Sequence, residues 1–286
     1  MKRALTLLVV VSILGFGAAC GSDDDDDGAT TTSSGATTPA TIASTSSTEP
    51  GTEAAVRVYF AWNEKVGTAG RTVDASAVEE DSVAALLGGP DSFETDIGMT
   101  TQIPEGTELL GLTIAGGEAT VDLSGEFQSG GGSLSMELRT AQVVFTLTQF
   151  DRVETVTIHL DGNEVEGIGG EGIPATELTR RDFENVTPLI LVESPVPGAA
   201  VTSPLVVAGI SNTFEANVRY SVTDPEGLIL DEGFTTATAG TGTWGEFSFT
   251  VEFATDRTGL GAVIVFQDDM NTGEPRDVYE VPVRIG

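Results

Sequence analysis

The run ELLGLTIAGGEATVDL, residues 108–123, decides the fold of the first half of the chain. Apolar residues crowd two segments, about Glu108–Ile114 and Glu118–Leu123. Ala115-Gly116-Gly117 between them supplies the positive φ that a tight hairpin turn demands, so the run reads as two paired strands. Downstream, after the glycines at 130–132, residues Leu134, Leu138, Ala141, Phe145 and Thr148 recur at helical spacing within Leu134–Gln149. Thr155–Leu160 is a further strand. Upstream, Ala55-Val56-Arg57-Val58-Tyr59-Phe60 alternates as a strand does. A helix follows it, with the S-x-x-E spacing of a capping box at Ser76 and Glu79 and with Val78, Ala85 and Leu86 on one face. Gly88-Gly89-Pro90 ends that helix, because glycine takes the left-handed cap and proline lacks a donor. The order strand, helix, strand, strand, helix, strand is the split βαβ-like arrangement, an α+β domain over 54–185 in which one sheet carries both helices.

Past Arg180-Arg181-Asp182-Phe183 the pattern changes. Short strands recur around Leu189–Val192, Leu205–Ile210, Phe214–Thr223, Leu228–Phe234, Phe247–Phe253, Ala262–Gln267 and Val278–Arg284. With no helical stretch among them, residues 188–286 read as an antiparallel β-sandwich. Phe247, Phe249, Val251 and Phe253 alternate with polar residues, so one face of that strand lines the core.

The N-terminus has a different character. Lys2 and Arg3 precede an apolar run from Ala4 to Phe16, and Gly17-Ala18-Ala19 supply small residues before Cys20, the sole cysteine. This resembles the lipobox of bacterial lipoproteins, with Gly17 departing from the larger aliphatic residue usual there. Residues 1–20 are thus expected to be a signal segment, with Cys20 lipidated and the protein held at the extracytoplasmic face of the membrane. An ordinary secretory signal and an uncleaved anchor are the alternatives. Residues 21–52, rich in Asp, Thr, Ser, Ala and Gly with five aspartates at 23–27, are expected to be a disordered acidic tether. A flexible chain of that length spans roughly 30 Å.

The whole chain has a formal net charge of −31 at pH 7. A field of that sign repels nucleic acid, so no nucleic-acid partner is expected. With one cysteine, an intrachain disulfide is impossible and a thiol-based metal or catalytic site in the folded part is excluded.

Several motifs carry a family resemblance. Val58-Tyr59-Phe60, Arg71, Leu86-Leu87-Gly88-Gly89-Pro90, Ile103-Pro104-Glu105-Gly106-Thr107, Val121-Asp122-Leu123-Ser124 and Gln142-Val143-Val144-Phe145-Thr146-Leu147-Thr148 resemble, in this order, the GerMN domain of sporulation and germination proteins. Ser194-Pro195-Val196-Pro197-Gly198, Ser203 to Gly209, Phe214-Glu215-Ala216-Asn217-Val218 and Trp244-Gly245-Glu246-Phe247 resemble the immunoglobulin-like domain of bacterial spore germination proteins. The resemblance implies a setting in sporulation, germination or envelope assembly. It implies no role for Arg71, Glu105 or Asp122.

Chemistry is sparse. His159, the sole histidine, shares a strand with Val156, Ile158 and Leu160 and should face away from them, as a surface or structural residue. The glycine runs lack the P-loop and dinucleotide spacings. Asp268, Asp269, Asn271 and Glu274, with Asp277 beyond them, form the best candidate cation loop, although the spacing departs from the EF-hand pattern and a solvated turn is the simpler reading. No cofactor and no catalytic residue is expected. The function read from the sequence is a non-catalytic, lipid-anchored envelope protein that binds envelope proteins or cell-wall polymer. The alternatives are a regulatory accessory of a membrane sensor system and a wall-remodelling enzyme.

Overall fold

A computed structural model describes residues 53–286; the expected signal segment, the lipid site Cys20 and the tether lie outside the described residues. The described chain opens on a hairpin. Strands β1 (Glu53–Trp62) and β2 (Lys65–Asp74) pair antiparallel over their full length. Asn63 and Glu64 make the turn with φ of 51° and 60°, the doubly positive geometry of a two-residue hairpin loop.

Helices α1 (Val78–Leu87) and α2 (Ser92–Asp96) follow, then β3 (Leu109–Ala115), β4 (Glu118–Leu123), α3 (Ser133–Leu147) and β5 (Thr155–Leu160). Three two-residue strands, β6 (Asn163–Glu164), β7 (Gly167–Ile168) and β8 (Ile173–Pro174), complete the domain. The main sheet has the order β3-β4-β5-β6, with β4 and β5 parallel. Parallel neighbours need a long crossover, and α3 provides it. The expected turn stands: Gly116 and Gly117 both have positive φ between β3 and β4.

The α+β class holds, and three details differ from the sequence reading. β1 does not join the main sheet; it pairs with β2, a strand the sequence did not reveal, so the domain has three sheets, β1-β2, β3-β4-β5-β6 and β7-β8. The S-x-x-E spacing does not cap α1. Residues Ala75–Ala77 form a 3-10 turn capped by Asp74, whose side chain accepts from Ser76 N, and Glu79 pairs with Arg152 instead. The capping box sits on α2, where Asp91 accepts from Glu94 N and Glu94 accepts from Asp91 N, each at 2.8 Å. Finally, α3 is not amphipathic to its end: residues 140–147 are all buried, while Leu134 at its start is exposed.

The second domain is a sandwich of β9 (Ile190–Ser194), β10 (Ala200–Val201), β11 (Leu205–Ser211), β12 (Asn217–Thr223), β13 (Ile229–Thr236), β14 (Gly245–Val251), β15 (Gly259–Asp268) and β16 (Pro275–Ile285). One sheet has the order β10-β16-β15-β12-β13 and the other β14-β11-β9. All pairs are antiparallel except β10 with β16, a parallel contact of two residues that the sequence reading lacked. Phe214–Ala216, expected in a strand, is a 3-10 turn with Glu215 and Ala216 at positive φ. Val207, Phe247 and Val251 from one sheet face Val218, Val222, Val263, Val265, Val281 and Val283 from the other. Phe249 joins them half-buried, stacked on Tyr220 at 4.0 Å. Gly209 admits no side chain, since a Cβ there would stand 2.1 Å from Leu191 O of β9.

Residues 53–286 belong to one compact unit, and one continuous cluster of buried side chains runs through both domains. The hairpin is the docking surface. A Cβ at Gly70 of β2 would lie 2.6 Å from Val196 Cγ2, so glycine sets that close approach. Trp62 packs edge-on against Tyr279 at 5.4 Å, and Arg284 lies 5.3 Å over the Phe93 ring.

Candidate functional site

Beside the docked hairpin the two domains leave a cleft of about 890 Å³. The first domain contributes Arg57 of β1, Phe145 of α3, Thr148, Gln149 and Asp151 after it, and Arg180 and Arg181 of a 3-10 turn at 180–186. The second contributes Glu193 of β9, residues 208–210 of β11, Trp244, and residues 245–248 of β14.

Its floor is a buried polar knot across the domain boundary. Arg180 Nη1 donates to Glu193 Oε1 at 2.8 Å, and Tyr59 donates its hydroxyl proton to the same oxygen in a short bond. Arg180 Nε donates to Thr148 Oγ1 at 2.9 Å, and Nη2 donates to Phe145 O at 3.2 Å and to the Tyr59 hydroxyl oxygen at 3.3 Å. The guanidinium lies 4.7 Å from the Phe145 ring centre and 5.4 Å from that of Tyr59, so aromatic faces add to its support. Burial alone would push the Glu193 carboxyl up, but the Arg180 charge and the Tyr59 hydroxyl outweigh it and hold it below the usual carboxylate range. Burial, with the Glu193 charge in support and Arg180 against, pushes the Tyr59 hydroxyl far above its ordinary value. Arg180 remains a cation: burial opposes its charge, and Tyr59 and Glu193 restore it.

Two residues of the lining each carry a side-chain nitrogen sequestered from solvent. Among the described residues Arg57 Nε and Trp244 Nε1 are both buried without a hydrogen-bond partner. Arg57 is held by its backbone, whose N donates to Gln149 Oε1 at 2.8 Å and whose O accepts from Gln149 Nε2 at 2.6 Å. Arg181 is exposed and forms no ion pair among the described residues.

The comparisons with known proteins fit these two domains. Residues 57–166 match the family described as sporulation and spore germination, and residues 189–274 match the immunoglobulin-like domain of bacterial spore germination. The chain carries a GerMN domain followed by a spore-germination immunoglobulin-like domain. Neither family description names a reaction. Among solved structures, the first GerMN domain of the sporulation protein GerM from Bacillus subtilis is 25% identical over 45% of this chain and 98% of its own, at a TM-score of 0.37. The tandem GerMN domains of that protein are 16% identical over 70% of this chain and 62% of theirs, at 0.39. A candidate lipoprotein from Clostridium perfringens is 20% identical over 47% and 93%, at 0.35. No curated protein matches.

The residues singled out in the sequence lie mostly elsewhere. In the GerMN domain Arg71 binds both carboxylate oxygens of Glu94, at 2.5 and 2.7 Å, and Gly89 O at 3.0 Å, which locks α2 and the glycine stop of α1 onto the hairpin. Asp122 accepts from Gly162 N at 2.9 Å, and Glu105 is exposed on its turn. His159 is half-buried in a shallow groove with Glu118, Thr157 and Glu164, on the far face from the apolar residues of β5.

In the immunoglobulin-like domain the proposed cation loop closes the β15–β16 hairpin. Asp269 accepts from Asn271 N and Thr272 N at 2.9 and 3.0 Å, and these bonds hold its carboxyl below the usual range. Asp268 pairs with Arg219 at 2.8 Å, Asp277 accepts from Gln267 Nε2 at 2.7 Å, and Glu274 is exposed. Asp269 and Asp277 also share Arg276, at 3.7 and 3.3 Å, so the carboxylates are engaged by protein groups, and among the described residues no group of three or more His, Cys, Asp or Glu is placed to hold a metal ion.

Arg57, Arg180, Glu193 and Trp244 were not read as a site in the sequence. One signal was present. Arg180-Arg181 are adjacent cations in a chain with only 13 Lys and Arg, at the junction between two domain patterns.

Proposed function

We infer that this protein is a non-catalytic, lipid-anchored envelope protein of the sporulation and germination type, whose docked domains form a single binding module for envelope proteins or cell-wall polymer. The observation that carries this reading is the cleft, concave and built from both domains, lined by three arginines and three carboxylates. Clefts of about 300–1,000 Å³ at domain junctions are the usual place for a bound ligand. The one sequestered carboxylate there, Glu193, is held ionised by Arg180 and committed to Tyr59. That suits a strut between domains better than a proton donor, which needs a raised pKa.

No helix among the described residues is long and apolar enough to cross a membrane. Attachment through a diacylglyceryl thioether on Cys20 would place the module at the extracytoplasmic face. Labelling cells with a fatty-acid probe should mark the wild-type chain and not Cys20→Ala; a labelled variant would contradict the anchor. For the binding role, mild crosslinking and recovery of the tagged chain should bring down envelope-assembly proteins or wall fragments. Recovery of a sensor kinase alone would favour the regulatory alternative. Release of soluble fragments from purified wall polymer, lost on Glu193→Gln, would favour the enzyme.

A further inference from the structure

The five-stranded sheet of the immunoglobulin-like domain buries one face in the sandwich and leaves the other open. On the open face the register sets Phe234 of β13, Arg219 of β12 and Phe266 of β15 in one row, and Glu232, Ser221, Ile264 and Glu280 in the next. Phe234 is 67% exposed, on the edge strand of the sheet. Beside it a groove of about 370 Å³ lies between Phe234, Phe214 and Met270, with Arg219, Glu215 and Asp268 in its wall. Met270, in the loop of the β15–β16 hairpin, is 66% exposed. Single apolar residues on a surface need no explanation, whereas two phenylalanines and a methionine grouped around a groove and rimmed by charge have the composition of a protein-binding face. Phe214 reaches the groove from a turn whose next two residues, Glu215 and Ala216, both hold positive φ, a conformation that residues with side chains rarely adopt.

The charge around the groove selects the occupant. Among the described residues that line it Arg219 alone is basic, and Asp268 neutralises it at 2.8 Å. Glu215, Glu232 and Glu280 are exposed and make no ion pair among the described residues. The face is therefore apolar at its centre and negative at its margin. A second copy would bring the same carboxylates against each other, and anionic lipid would be repelled in the same way. A partner whose cations flank apolar side chains meets both demands. We propose that this open sheet face, with its groove between Phe214, Phe234 and Met270, is a docking surface for a basic, apolar segment of a protein partner. It shares no residue with the lining of the interdomain cleft, and it rests on the binding reading above only in taking the partner to be a protein. Apolar side chains of the segment enter the groove, and its lysines or arginines lie toward Glu215 and Glu232.

The test is an NMR titration of the full chain, labelled at its methionine methyls and held in a nanodisc of zwitterionic lipid. Met99 and Met136 are buried in the first domain, so their signals are internal controls for the fold, and Met270→Leu identifies the signal of Met270. The probe is a short peptide in which lysine alternates with leucine and threonine, beside the same peptide with glutamate at every lysine. The lysine peptide should move the Met270 signal and leave those of Met99 and Met136 in place; the glutamate peptide should leave all three unmoved. Phe234→Ser, an exposed change that leaves the charge unaltered, should weaken binding roughly ten-fold or more, the scale of a lost interface anchor. Glu215→Gln combined with Glu232→Gln should weaken it too and flatten its dependence on salt. An unmoved Met270 signal, an equal response to the glutamate peptide, or unchanged affinity in Phe234→Ser would overturn the proposal. So would a Met270 signal that shifts with protein or lipid concentration alone, which would assign the face to a second copy or to the membrane. Crosslinking in cells separates this inference from the binding reading. Equal recovery of envelope proteins by wild type and Phe234→Ser sinks this face and leaves that reading standing; recovery of none by either sinks both for protein partners.

Discussion

Replacing the Glu193 carboxylate by an amide would leave Arg180 a mostly buried cation without its charge partner. The two side chains are only 23% and 16% exposed, so solvent cannot make up the loss. Breaking a pair in such surroundings costs about 3 kcal/mol, and Glu193→Gln should lower the midpoint of thermal unfolding accordingly. Tyr59→Phe removes only the hydroxyl and should cost about 1 kcal/mol. The same carboxylate gives the protein a pH dependence with a definite sign. Its folded-state pKa lies below the value of about 4.3 that an unfolded glutamate has, so its contribution is fully present above that value. It is lost as pH falls further through the lowered folded value. Unfolding midpoints measured from pH 7 to pH 2 should therefore drop at the acid end by less in Glu193→Gln than in the wild type; parallel curves would show that the pair contributes nothing.

At the scale of elements, β2 shows why part of the fold was hidden. Its sequence, KVGTAGRTVD, has two glycines and no large apolar residue, so the period-2 signal of a strand is weak. The glycines are there for contact: a Cβ at Gly67 would meet Trp62 Cβ at 2.8 Å, and one at Gly70 would meet Val196 Cγ2. Gly70→Ala should loosen the docking of the domains, and Val196→Ala in the same chain should recover part of the loss. Equal instability of the single and double variants, followed by calorimetry, would contradict that account. β3 and β4 were legible because apolar segments flank an obvious glycine turn, and β4 alternates buried and half-buried residues along its length. α3 misled for the opposite reason. Its final residues 140–147 are all buried in a helix packed against the hairpin, α1 and the turn at Arg180, so no single stripe describes it. The cleft was illegible for the same cause: Arg57, Arg180, Glu193 and Trp244 are far apart in sequence and meet only through domain docking.

For the whole molecule, charge and architecture work together. The chain carries a formal net charge of −31, while the cleft sets three arginines among three carboxylates. That contrast depends on the domains holding a fixed relation. Interfaces between domains of one chain often permit relative motion, and the large apolar contact through Val196, Tyr279 and Trp62, pinned by the Tyr59–Arg180–Glu193 knot, is what would prevent it here. The most direct test is residual dipolar couplings measured on both domains of the intact folded region. The account predicts that couplings from the GerMN and immunoglobulin-like domains fit one alignment tensor, in wild type at pH 7. Two distinct tensors would show domains moving independently, and with them the cleft as a preformed site would fall.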